Sequence, residues 1–177
     1  MPHLIIGKPD ASEYAPNYGM YISLVEGDDV LAALADTSVA ELRSVSEEAS
    51  LTRYAPGKWS LREVLGHVID AERIFAYRAL RFARNDPTEL PGFEQDDLIP
   101  AAHFDQRPWA DLLAEFELVR RGNLLLFAGF DREAWLRQGV ASRNRISVRA
   151  LAYVIAGHEL HHMRVIRTKY LKADFGS

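Results

Sequence analysis

Residues 60–84 read SLREVLGHVIDAERIFAYRALRFAR, and residues 147–172 read SVRALAYVIAGHELHHMRVIRTKYLK. In the first stretch Ser60 precedes Glu63 by three positions, a capping box in which each side chain satisfies a backbone N–H left open at a helix start. Trp59 and Val64 flank that cap in the manner of a hydrophobic staple. A helix is therefore predicted from about Leu61 to Arg84, ahead of Asn85, Asp86 and Pro87. Leu61, Val64, Val68, Ala71, Phe75, Ala79 and Phe82 form its apolar stripe. In the second stretch Ser147 caps a helix whose stripe holds Leu151, Val154, Ile155, Val165 and Ile166. Two further helices follow from the same signals. One is capped by Asp28 or Asp29 and runs to about Ser50; the other, WADLLAEFELVRRGNLLLFAGF, starts at Trp109 and ends at about Gly129. No alternating β pattern of useful length appears, so the expected fold is all-α, a four-helix bundle.

The connections refine that reading. Residues 1–27 carry Pro2, Pro9, Pro16 and three glycines, which predicts an extended or turn-rich lead-in. Residues 85–108 carry Pro87, Pro91, Gly92, Pro100 and Pro108 and are too long for a tight hairpin. So long a crossover predicts parallel packing of the second and third helices. A chain of 177 residues is read as one domain spanning 1–177, large enough to fold without a structural metal. It has no cysteine, which excludes zinc fingers, thiolate nucleophiles and disulfides. Net charge is -4 with basic residues dispersed among acidic ones, so nucleic acid is not an expected partner. No run approaches the roughly 20 apolar residues that span a bilayer, and a soluble cytoplasmic protein without a membrane partner is expected.

His158 and His162 are one helical turn apart and fall near the centre of the last helix's apolar stripe, while His67 lies on the border of the second helix's stripe. Two imidazoles at i and i+4 plus a third from another helix make a facial set of nitrogen ligands. The residues alone leave two readings open: a divalent metal site, or core histidines satisfied by hydrogen bonds. His161 falls at the margin of the stripe, and His3 and His161 are read as non-ligands.

GKWSLREVLGHVIDAE and SVRALAYVIAGHELHHMRVI resemble the two signature segments of the DinB-like, or YfiT-like, superfamily of metal-dependent enzymes. The likeness extends to YISLVEGDDVLAAL, the Pro-rich loop and LLAEFELVRRGNLLLFAGFDREAW. The resemblance implies an up-down-down-up bundle, frequent dimers, and a divalent metal, often zinc or nickel, held by His67, His158 and His162. It also implies chemistry ranging from hydrolysis to transfer involving low-molecular-weight thiols. With no cysteine in the chain, such a thiol would come from a cofactor or substrate.

Three neutral imidazoles leave a divalent ion its full charge and open positions, fit to activate water or a thiol. The expected function is thus a metal-dependent hydrolase or thiol S-transferase acting on a small molecule. The rival is a non-catalytic metal- or small-molecule-binding bundle linked to stress, and an open site facing a roomy pocket would favour the enzyme. Asp70 and Glu63, one turn either side of His67, are candidates to orient an imidazole or act as general base. Glu159 points about 100° away from its neighbouring histidines, which disfavours an HExxH-type peptidase. His103 is read as an exposed loop residue, Trp59 and Trp109 as packing residues, and the arginines of SRNRISVR as surface charge. A homodimer is expected through Tyr153, Ala156, Leu160 and Met163, on the face of the last helix opposite its histidines, unless the N-terminal segment covers them.

Overall fold

A computed structural model describes residues 5–171. Helices α1 (Gly19–Leu24), α2 (Val30–Ala35), α3 (Leu61–Ala83), α4 (Gln95–Ala102), α5 (Trp109–Ala128), α6 (Arg132–Leu136) and α7 (Val148–Val165) carry the fold. Strands β1 (Gln138–Ala141) and β2 (Asn144–Ser147) form a small antiparallel hairpin between α6 and α7. Two of the three longest helices, α3 and α7, start as their caps dictate. Ser60 Oγ accepts from Glu63 N at 3.0 Å while Ser60 N donates to Glu63 Oε2 at 2.8 Å, and Ser147 Oγ accepts from Ala150 N at 3.0 Å.

The first expected helix is broken. Asp29 caps α2 through the N–H groups of Leu31 and Ala32, but regular structure stops at Ala35 and the chain continues in 3₁₀ turns at Ser38–Ser44 and Ala49–Leu51. The cause is competition from side chains for the backbone. Thr37 Oγ1 accepts from Val39 N and donates to Glu159 Oε1 at 2.9 Å, and Ser38 N donates to the same oxygen at 3.0 Å. The lead-in is likewise more regular than expected: 3₁₀ turns at Ala11–Glu13 and Pro16–Tyr18 run into α1. Pro16, at the first position of its turn, fits because its missing N–H needs no partner there.

The hairpin corrects the all-α expectation. Its turn places Ser142 and Arg143 at φ 52° and 65°, and Leu90 joins it by donating to Val140 O and accepting from Ser142 N. Both residues thus take the positive φ that a two-residue hairpin turn requires. Within the 85–108 connection α4 forms despite Pro100 and ends at His103 in a left-handed conformation, φ 51°.

Contacts along α3 and α5 run in the same sense: Arg62 at the start of α3 donates to Arg107 O just before α5, while Glu72 and Arg73 a few turns on pair with Arg120 and Glu115. Those between α3 and α7 run in the opposite sense, from Trp59 O with Tyr170 to His67 with His158. Arg62 ties the intervening loops to the start of α3 through Ser50 Oγ, Glu47 O and Asp105 O. At the centre, Arg120 is 2% exposed and lies between two buried carboxylates, Glu72 on α3 and Glu159 on α7, both within 2.9 Å. Arg120 also donates to Leu34 O and Asn123 to Glu72, so one ionic cluster fastens α2, α3, α5 and α7.

Helix α7 is buried all round its first half rather than along one stripe. Tyr153, Ala156 and Met163, placed by sequence on a dimer face, are buried inside the chain, and Leu160 is half-buried. The N-terminal segment covers the first part, with Tyr153 donating to Ile6 O and α1 lying against Gly157, and Met163 packs in the cluster of Val39, Leu42 and Ile166. That face is therefore not available for pairing two copies. The most exposed large apolar side chains among the described residues are Leu118 and Leu125 on α5, at 70% and 72%.

Two expected results follow from this N-terminal cover. A Cβ on Gly157 would stand 1.9 Å from Tyr21 O, a backbone atom that cannot swing aside. Gly157→Ala should therefore cost about 1–3 kcal/mol. Gly122→Ala, which meets nothing within 4 Å on α5, should be neutral or stabilising by up to about 1 kcal/mol. Urea titration of both variants reads the contrast. Glu13 is buried and accepts from Arg149 Nε at 2.8 Å and Asp10 N at 2.9 Å. Burial pushes its pKa up, but Arg149, the Asp10 N–H and Ser147 outweigh that and hold it below the ordinary 4.5. A depressed folded pKa stabilises above the unfolded value and is lost as pH falls through the folded one. Glu13→Gln should therefore cost about 1–2 kcal/mol at pH 7, with the difference from wild type vanishing at acid pH in the same titration.

Candidate metal centre and its cavity

His67 comes from the second turn of α3 and His158 and His162 from the middle of α7, where the two helices cross antiparallel. The i, i+4 spacing puts both α7 rings on the side facing α3. His158 Nε2 lies 3.1 Å from His67 Nε2 and 3.1 Å from His162 Nε2, and one nitrogen from each ring falls within 4.8 Å of the others. His67 and His158 are buried and His162 is half-buried. The structure thus brings the three sequence-singled histidines to one point.

Their surroundings hold all three neutral. Burial depresses His67 to about 4, against a smaller opposing pull from Asp96. Burial, with His67 and His161 adding to it, takes His162 to about 3. His158 is pushed well below the usual range by burial and then by the neighbouring histidines. Neutral imidazole is the form that coordinates metal. A proton on one Nε2 can serve only one of its neighbours, so three converging Nε2 atoms leave lone pairs facing one another. A central cation satisfies all three. Nitrogens about 2.0–2.1 Å from a common ion lie about 3.3 Å apart in a tetrahedron and about 2.9 Å apart at right angles. The 3.1 Å separations fall between these limits, and the donor set fits a divalent ion.

The other sequence candidates are placed elsewhere. Glu63 closes the Ser60 capping box and pairs with Arg53, and Asp70 lies near Arg73 at 3.9 Å with its pKa raised by burial. Among the described residues neither has a hydrogen bond to the three imidazoles. Glu159 turns away to Arg120, Thr37 and Ser38. His103 is exposed, His161 is half-buried with its ring edge-on to Tyr21 at 5.6 Å, and His3 lies outside the described residues. Trp109 is buried and donates to Leu42 O. In SRNRISVR, Arg149 is committed to Glu13 rather than to a ligand.

A cavity of about 690 Å³ opens on His162. Tyr54, Lys58 and Trp59 from the loop before α3, Asp96, Ile99 and Pro100 from α4, and Tyr170 after α7 form its walls. The Trp59 ring stands 5.1 Å from that of His67. Tyr170 belongs to a π-helical turn, Ile166–Tyr170, that continues α7, and its hydroxyl donates to Trp59 O at 2.7 Å. Sequence reasoning gave Trp59 only a packing role and passed over Asp96, Tyr54 and Tyr170. A π-turn directly after two histidines is the kind of irregularity that often marks functional sites, but no residue pattern announces it.

Known proteins place this arrangement. The DinB superfamily model matches residues 28–166. Bacillus subtilis YfiT, described as a probable metal-dependent hydrolase with an unusual four-helix bundle topology, is similar in fold, with a TM-score of 0.65 at 16% identity over 92% of this chain and 93% of that one. No match is found among curated proteins. No helix among the described residues is long and apolar enough to cross a membrane. The match over residues 28–166, which spans all three histidines, means that this chain belongs to the DinB superfamily.

Proposed function

We propose that the protein is a metal-dependent hydrolase of a small molecule, with His67, His158 and His162 as ligands of one zinc or nickel ion. The observation that carries this is the convergence of three neutral imidazoles, two buried and one half-buried, at a cavity of substrate size. The metal-dependent hydrolase description of the YfiT neighbour supports the same reading. A divalent ion held by these neutral ligands would supply Lewis-acid polarisation and lower the pKa of its bound water toward about 7.

The chain's own residues supply the rest. Asp96 is the cavity carboxylate without an ion-pair partner among the described residues, and we assign it the proton-accepting role considered for Asp70 and Glu63. Trp59, Tyr54 and Tyr170 hold the apolar part of a substrate and keep bulk water from one side. The cavity favours catalysis over a sequestering role, for which a closed site suffices. Transfer to a low-molecular-weight thiol would use the same open position with the thiol as co-substrate. The up-down-down-up course belongs to the same proposal, supported by contacts that ascend together along α3 and α5, as does a cytoplasmic setting.

The test is metal content after dialysis against zinc or nickel, followed by assay against a panel of esters and amides. Stoichiometric metal with turnover that chelation abolishes and Asp96→Asn lowers by about 10²–10⁴-fold is the expected result. A loaded protein that hydrolyses nothing in the panel overturns it.

A further inference from the structure

The cavity has a chemistry of its own. Tyr54 and Tyr170 meet edge to face at 5.2 Å, and because the Tyr170 hydroxyl is held by Trp59 O, that residue offers its ring rather than its polar end. Val64, Ile99, Pro100 and Val165 complete an apolar lining suited to a flat hydrocarbon body. Its charges are asymmetric. Arg53 is held between Glu63 and Asp105, so its charge is already answered within the chain. Lys58, next to Trp59 on the loop wall, has no ion pair among the described residues. Asp96 stands on the α4 wall, close enough to His67 to act on it electrostatically. A ligand carboxylate is repelled at the Asp96 wall and attracted at Lys58.

We propose that the cavity binds N-acyl amino acids with an aromatic acyl group, the ring packed on Trp59, Tyr54 and Tyr170 and the free carboxylate taken by Lys58. The assignment rests on the hydrolytic reading of the same site. Hydrolysis of such a ligand breaks the amide C–N bond and forms a C–O bond from water to the carbonyl carbon. The proton released by water passes through Asp96 to the leaving nitrogen, giving a carboxylic acid and a free amino acid.

Binding separates this inference from the catalytic reading. With full-length protein under chelation, calorimetry with N-benzoylglycine and its neutral analogue N-benzoylglycinamide reads the carboxylate contribution without metal. The acid should bind about five-fold tighter, as expected for an exposed ion pair, and the preference should fall to about one in Lys58→Ala, invert in Lys58→Glu and persist in Lys58→Arg. Lys58 is exposed on a loop, so these variants keep the fold. Equal binding of the two probes, binding of neither, or a preference surviving in Lys58→Ala overturns the assignment. A metal-loaded protein that binds the acid through Lys58 but does not cleave it leaves the ligand class standing and overturns the hydrolase reading.

Discussion

Replacing His158 with Ala is expected to abolish divalent metal binding and leave the bundle folded. His158 Nε2 is the nitrogen within 3.1 Å of both others, so its removal leaves two donors that no longer share a close neighbour. Changes to residues that merely support a ligand cost about 10–100-fold in affinity, so loss of this ligand should exceed 100-fold. Stability should move little by comparison. Leu151, Val154 and Ile155 on α7 are already buried, each worth about 1.5–3 kcal/mol, and removal of a buried imidazole also relieves the burial of a polar ring. Metal content after dialysis should fall from near one per chain to near zero, with helical circular dichroism retained. A variant that unfolded, or a wild type that unfolded under chelation, would make the ion structural and remove the main support for catalysis.

Arg120→Met should be the most destabilising single change, at about 3–5 kcal/mol. It strands Glu72 and Glu159, each buried, with only neutral donors left: Asn123 for one, Thr37 and the Ser38 N–H for the other. At about 2–4 °C per kcal/mol for a chain of this size, the midpoint should drop by roughly 10 °C at pH 7. Replacing all three residues by apolar ones should cost less than the single change, because no uncompensated charge remains. Thermal melts of the single and the triple replacement decide it. A single change that cost no more than the triple one would mean the carboxylates find new partners.

What the sequence discloses and conceals follows from how far each determinant reaches. Ser60, Glu63 and Ser147 act within one turn of themselves, and the caps of α3 and α7 were legible for that reason. The meeting of His67 with His158 and His162 was legible in two steps, since periodicity set the side each occupies and the resemblance of the two signature segments named the trio. The break after Ala35 was not, since it depends on Glu159, 122 residues from Thr37. The β1–β2 hairpin escaped notice because its strands span four residues and its turn uses Ser142 and Arg143 in place of the usual Asn-Gly. The burial of α7 on its far side depends on a Pro-rich lead-in whose docking no pattern encodes. Asp96 gained its place only when α4 folded inside what read as a loop.

The separation of His67 and His158 by 91 positions has a consequence for biosynthesis. A site divided in this way does not exist while the nascent chain carries only α3 and α5. It comes into being only when α7 docks, after the segments that form α3 and α5 have left the ribosome. Any ion or substrate it takes must then enter a finished bundle by the mouth between the Tyr54–Trp59 loop and α4. Loading is therefore a step that follows folding.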